Sequence, residues 1–284
     1  MDFSQIQALY GLKWNPFLPE VPVEALARTA KIDSFCFRLE SLVLDGGFAM
    51  ITGEPGTGKS VLLRILAERL GQMRDLQVGI INRPQSGMSD FYREIGHIFG
   101  QSWSVSNRWG NFRILRERWQ AHIETTLLRP VLLIDEAQEI PASVLNELRL
   151  LSSISFDSRS ILTVVLAGDL RLPERFLSPE LAPLGSRIKT KFRAEAASRE
   201  ELAHALELRL AEGGNASLMT DGLIHTVIEH GMGNHRVVMQ TCEEILIAGA
   251  SQGLKQLDEK LFLSLYQPQP RPRKVGGSKR MEQR

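Results

Sequence analysis

The chain has 284 residues, 43% of them hydrophobic and 24% charged, and a formal net charge of +1. This composition belongs to a folded globular chain able to bury a substantial core, and it excludes a global positive field as the means of holding nucleic acid. Two distant cysteines, Cys36 and Cys242, exclude a disulfide framework, and no apolar run approaches the roughly 20 residues of a membrane span.

Taken in chain order, residues 1–31 form a short leader with a proline-punctuated stretch after Trp14, and no basic region followed by an apolar run marks a signal peptide. From Ile32 to Leu44 apolar residues recur at helical spacing, and Gly46 and Gly47 end the pattern. The run Phe48 to Thr52 has strand length and leads into a glycine-rich turn, followed by a Leu- and Ile-rich helix to about Leu70. Further strands are predicted at Val78–Ile81, Val131–Ile134, Ile161–Ala167 and Ile188–Phe192. Helices are predicted between them at Asp90–Phe99, Phe112–Leu127, Val144–Ile154 and Pro173–Leu177. Apolar strands alternating with helices imply an α/β fold with a parallel sheet, here over residues 32–194. Residues 195–266 read as all-helical, with helices at Arg199–Glu212, Thr220–Glu229, Arg236–Ala250 and Asp258–Leu265 separated by glycines. Residues 267–284 are basic, rich in proline and glycine, and predicted to be a disordered tail.

Two motifs carry chemistry. Gly53, Glu54, Pro55, Gly56, Thr57, Gly58, Lys59 and Ser60 match G-x-x-x-x-G-K-[ST], the loop that cradles a nucleoside triphosphate, at every constrained position, with Val61 beginning the helix behind it. Gly56 and Gly58 let successive N–H groups converge on phosphate oxygens, Lys59 reaches the β- and γ-phosphates, and Ser60 offers a hydroxyl to Mg²⁺. The second motif is the strand from Val131 to Ile134 followed by Asp135 and Glu136. If that strand neighbours the one before the loop, Asp135 holds Mg²⁺ through its water shell and Glu136 activates the attacking water.

With these motifs in place the chain resembles the AAA+ superfamily: GEPGTGKS and VLLIDEA are its nucleotide signatures. The leader YGLKWNPF, the stretch AGDLRL and the stretch GMGNHRVVMQTCEEIL are similar to a narrower group. That group holds the ExeA-type secretion ATPases and the transposon regulators TnsC and TniB. The resemblance covers roughly residues 8–250. It implies a P-loop AAA+ parallel sheet flanked by helices with a C-terminal helical lid, ATP and Mg²⁺ as cofactors, and ATP hydrolysis. Asp169 falls where such proteins place a γ-phosphate sensor, usually Asn, Thr or Ser. An acid there departs from the pattern, and a plain turn residue is the alternative. Arg187 matches an arginine finger acting on a neighbouring subunit, and Arg236 matches a lid arginine touching the same nucleotide. Pro16 and Phe17 are candidate walls for the adenine ring, or else Trp14 and Phe17 anchor the leader to the core.

Residues 102–129 interleave arginines with Trp103, Trp109 and Trp119, a pattern that suits nucleic acid and equally a surface helix with its tryptophans turned inward. Arg83, Arg108 and Arg113 are the candidate DNA contacts. His225, His230 and His235 do not share a helix face, so a zinc site is not expected. The functional expectation is a cytoplasmic regulator of DNA transposition. It assembles as a ring or helical filament on duplex DNA, with a transposase and a target-selector protein as partners, and without a membrane. An ExeA-type secretion-assembly ATPase, whose relatives usually continue into a membrane span and a cell-wall-binding domain, and a protein-directed ATPase are the alternatives.

Overall fold

The computed structural model describes residues 2–81, 84–85, 87–100, 108–156 and 158–266. Its centre is a five-stranded parallel sheet. The strands are β1 (Gly47–Gly53), β2 (Leu76–Ile81), β3 (Arg129–Ile134), β6 (Thr163–Gly168) and β7 (Ile188–Ala194), in the order β2-β3-β6-β1-β7. The three inner strands are almost wholly buried and read as continuous apolar runs. The edge strand β7 alternates, turning Lys189 to solvent, which blunts the edge against pairing with another chain. A two-residue hairpin, β4 (Ser153–Ile154) with β5 (Arg159–Ser160), interrupts the course to β6. The predicted helix over Val144–Ile154 therefore ends at Ser152.

Because side chains alternate along a strand, each inner strand feeds two cores. Phe48, Met50, Leu132, Ile134, Val164 and Leu166 point to one face, which is covered by α4 (Met88–Ile98), α5 (Arg108–Thr125) and α6 (Ala142–Ser152). Ala49, Ile51, Val131, Leu133, Val165 and Ala167 point to the other, covered by α2 (Ala30–Asp45) and α3 (Lys59–Gly71). Trp119 of α5 is fully buried and meets Phe99 edge-on at 5.2 Å, so it belongs to the packing. Trp109 stays 71% exposed. Two short helices, α7 (Arg171–Arg175) and α8 (Ala182–Gly185), join β6 to β7.

A third core lies outside the sheet. It unites α9 (Arg199–Glu212), α10 (Asp221–Gly231), α11 (His235–Ser251) and α12 (Glu259–Tyr266) with Ile6, Tyr10, Leu12 and Phe17 of the leader. The leader contains a helix the sequence pattern did not announce, α1 (Phe3–Tyr10), closed by Gly11 in the left-handed region at φ 67°. Downstream of it the chain is held by backbone contacts. Arg209 of α9 donates to the carbonyls of Pro16 and Leu18 at 3.1 Å each, and Arg64 of α3 donates to those of Pro19 and Val21. The basic tail, Arg83 and Trp103 lie outside the described residues.

Candidate nucleotide site

β1 ends at Gly53 in a turn with no room for a side chain: a Cβ there would stand 2.5 Å from the carbonyl oxygen of Ala194 on β7. Gly56 and Gly58 have φ of 83° and 91°, a conformation L residues resist, and Gly58 caps the start of α3. Thr57 closes the arch by donating its hydroxyl to the Glu54 carbonyl at 2.7 Å. The buried ammonium of Lys59 donates to the carbonyls of Gly53 at 2.8 Å and Glu54 at 3.0 Å, two of the three protons it can offer.

The strand carrying Asp135 is not the neighbour of the loop strand. β6 lies between β1 and β3, so the two motifs stand two strand spacings apart, roughly 10 Å. The loop and the first turn of α3 span that gap, and the Ser60 hydroxyl donates to Asp135 Oδ2 at 2.9 Å. A hydroxyl and a carboxylate brought together beside a buried ammonium are the hard oxygen ligands that suit Mg²⁺, so the residues present fit that ion.

Glu136 follows with φ 51°, a strained backbone for a non-glycine residue and of the kind that collects at functional sites. Its carboxylate accepts from the side-chain amide of Gln138 at 2.5 Å, and the same amide oxygen accepts the N–H of Asp169 at 3.1 Å. Asp169 follows the last residue of β6 and lies just before α7. It accepts from the Arg171 backbone at 2.9 Å and from the Arg171 guanidinium at 2.8 Å. That guanidinium also reaches Glu139, and beside it the Asp169 carboxyl is held below the ordinary carboxylate range.

The C-terminal helices, the expected lid, touch the loop directly. Asn234 caps α11 by accepting from the N–H groups of Arg236 and Val237, and its own amide donates to the Pro55 carbonyl at 3.0 Å. The His235 N–H donates to the Gly56 carbonyl at 3.0 Å. Arg236 is therefore presented, exposed, one residue beyond the contact between lid and loop. Beside Thr57, Gly58 and Val61 opens a cavity walled by Leu26, Ala27, Phe192, Ala205, Arg209, His235 and Met239, apolar for the most part, as a nucleoside requires. Burial pushes Arg209 down to about 10, and burial first, then Arg209, lowers the pKa of His235. Pro16 and Phe17 are not walls of this cavity. Phe17 is packed in the lid core, and Pro16 reaches the cavity only through its carbonyl on Arg209.

Arg187 lies far from all of this. It precedes Ile188, which pairs with Phe48 at the amino end of β1, so the sheet puts about 20 Å between Arg187 and the loop. Arg187 lines a cleft there with Arg129, Arg159 and Lys189. Arg108 is occupied by an ion pair: its guanidinium meets Glu147, whose side chain is 3% exposed and which also accepts from the Tyr92 hydroxyl. Arg113 is exposed and lies 3.6 Å from Glu117.

Residues 43–176 match the AAA domain family. The matched segment holds β1 through α7, and with it both sequence motifs and the Gln138–Asp169 link. General secretion pathway protein A of Aeromonas hydrophila is 28% identical over 212 residues, which are 73% of this chain and 38% of that protein. The chain thus spans less than half of the length of that curated relative. Among solved structures, the ORC2 protein of Aeropyrum pernix, in ADPNP and ADP complexes, is similar with a TM-score of 0.72 at 18% identity, covering 89% of this chain and 71% of that one. Drosophila ORC bound to DNA is similar with a TM-score of 0.68 at 19% identity, covering 93% of this chain and 66% of that one. The fold is that of the AAA+ proteins, a five-stranded parallel sheet flanked by helices with helices following it. Among the described residues no helix is long and apolar enough to cross a membrane.

Two participants escaped the sequence reading. Gln138 has no motif of its own, although its position two residues past Glu136 was visible. Asn234 had a visible signal, an Asn before a helical pattern, but its second partner belongs to the distant loop.

Proposed function

We propose that this chain is an ATP-hydrolysing AAA+ switch that works as a head-to-tail oligomer. The observation that carries the reading is the meeting of the loop and the strand acid, Ser60 Oγ on Asp135 Oδ2 at 2.9 Å, across an intervening strand. The arch from Gly53 to Gly58 and Lys59 hold the phosphates, and the base lies in the cavity between Leu26 and Met239. Ser60 and Asp135 would hold Mg²⁺, which would neutralise negative charge on the nucleotide phosphates. Glu136 takes the proton of a water whose oxygen attacks the γ-phosphorus, and the bond to the bridging oxygen breaks to release ADP. Asp169 reports the γ-phosphate position to β6, and Arg236 carries nucleotide state into the lid. Arg187, at the amino ends of the strands and so at the opposite end of its own sheet from the loop, acts on the nucleotide of a second copy, which is the geometry of a ring or helical filament.

For its target we propose duplex DNA, in a regulator of transposition that recruits a transposase. The supports are the resemblance to the transposon regulators and a fold shared with an assembly bound to DNA. Arg83, Arg113 and the basic tail are the proposed phosphate contacts, with Arg108 in a supporting place through Glu147. The second reading, an ATPase for assembly of a secretion apparatus, is favoured by the similarity to General secretion pathway protein A, and chain length does not separate the two. A cytoplasmic location is proposed from two buried cysteines set in different cores. The test is anisotropy of random-sequence duplex DNA with ATP, with ADP and without nucleotide, at two salt concentrations. Binding that needs ATP and weakens steeply with salt is expected. Absence of binding in every nucleotide state would remove the DNA reading and leave the secretion one.

A further inference from the structure

Glu136 is exposed at the end of a strand, on a carboxylate arm that nothing in its own backbone would hold in one place. A base that wanders spends little time against the attacking water, and a misplacement of ~1 Å costs about 10²-fold in rate. The structure supplies a holder. Gln138 is 7% exposed, and its side chain bridges two groups of opposite hydrogen-bonding character. At one end stands the Glu136 carboxylate, which only accepts, at 2.5 Å; at the other stands the Asp169 N–H, which only donates, at 3.1 Å. An amide is the group that satisfies both ends at once, and the two partners together fix which way round it lies. The neighbouring glycine has made room for it: a Cβ on Gly168 would stand 2.5 Å from the Gln138 amide oxygen. Gln138 itself is in the short helical turn Ala137–Glu139, whose other contacts anchor it to α7, since Arg175 donates to the carbonyls of Gln138 and Ile140.

We propose that Gln138 is a positioning residue for hydrolysis: its amide holds the Glu136 carboxylate and ties it to the backbone at the tip of β6. The proposal rests on Glu136 acting as the base. One carboxylate oxygen is engaged by the amide and the other is left for the proton of water. Because the far end of the amide is bound to Asp169, a shift of the β6 tip moves the base with it. The γ-phosphate sensor position and the base are thereby mechanically one unit.

The test uses the full chain and three variants, reading turnover, affinity for a fluorescent ATP analogue and melting temperature. Gln138→Glu keeps the volume and the acceptor toward Asp169 but loses the donor toward Glu136. Gly168→Ala leaves Gln138 intact and pushes its amide aside. Both are expected to lower kcat about 10- to 100-fold while nucleotide affinity and melting temperature stay those of the wild type. Glu136→Gln is measured beside them. If it is inactive and both variants turn over at the wild-type rate, the positioning role is overturned and the reading of Glu136 stands. If affinity falls in parallel with kcat in both variants, Gln138 shapes the loop and does not position the base, which also overturns the proposal. If Glu136→Gln itself hydrolyses ATP at the wild-type rate, the reading of the base fails, and the proposal with it.

Discussion

In the proposed mechanism, Lys59 and Glu136 divide binding from chemistry. The Lys59 ammonium is buried under the arch and is the one cation described there in contact with its carbonyls. Lys59→Ala should therefore abolish measurable nucleotide binding. Glu136→Gln should bind nucleotide as the wild type does and lose turnover by about 10²–10⁴-fold, as loss of a general base does. Equilibrium binding and steady-state phosphate release on both variants check this pair, and retained binding in Lys59→Ala would refute the loop assignment. His235 makes a pH prediction. Burial depresses its folded-state pKa below the 6.5 of a free imidazole, so the unfolded chain takes up this proton first as pH falls. Its contribution to stability is full above about pH 6.5 and is lost as pH falls through the depressed value. The melting temperature of the wild type should drop more between about pH 7 and 5.5 than that of His235→Gln, and equal drops would show that this imidazole does not set the acid limb.

Among the elements, α11 and the loop depend on each other through small groups. A methyl on Gly56 would stand 2.0 Å from Asn234 Oδ1 at a φ of 83°, so Gly56→Ala is opposed both by contact and by backbone conformation. It should free the lid from the loop. Nucleotide affinity is expected to fall at least tenfold, with faster amide exchange in the first turn of α11, and an unchanged exchange pattern would count against the coupling. A second element relation explains why Arg108 is not simply a surface cation. Glu147 on α6 is buried and accepts from both Tyr92 on α4 and Arg108 on α5. Burial first, then Glu147, raises the pKa of the Tyr92 hydroxyl, so it donates throughout the physiological range. Three helices on one face of the sheet are thereby linked through one carboxylate.

For the whole molecule, the sheet separates the phosphate loop from the proposed trans residue Arg187. The loop lies at the carboxyl ends of the strands and Arg187 at the amino ends, about 20 Å away, so one chain does not assemble both on one nucleotide. Lys59→Ala and Arg187→Ala should each be inactive alone, the second losing about 10³-fold while retaining nucleotide. Mixed together they should recover turnover, because the intact nucleotide site of one copy meets the intact Arg187 of the other. Full activity of Arg187→Ala alone, or no recovery on mixing, would remove the trans role.

The sequence by itself determined the motifs and elements that are local in the chain. GEPGTGKS, the strand into Asp135 and Glu136, and the apolar strands alternating with helices are each written within a few residues, because loop conformation and strand burial are short-range demands. α1 was not legible because eight residues show too little periodicity, and the lid core that holds Ile6 and Tyr10 comes from far along the chain. Phe17 and Pro16 show the same limit: their aromatic and ring character was visible, but which core receives them was set by Arg209 and the lid helices. Strand order was likewise a tertiary outcome, since nothing near Asp135 announces that β6 will insert beside it. That insertion sets the β6 tip, and with it Asp169, beside the end of β3, within hydrogen-bond reach of Gln138. Contacts between residues about 30 positions apart are decided by how the layers stack, and a linear pattern does not encode that stacking.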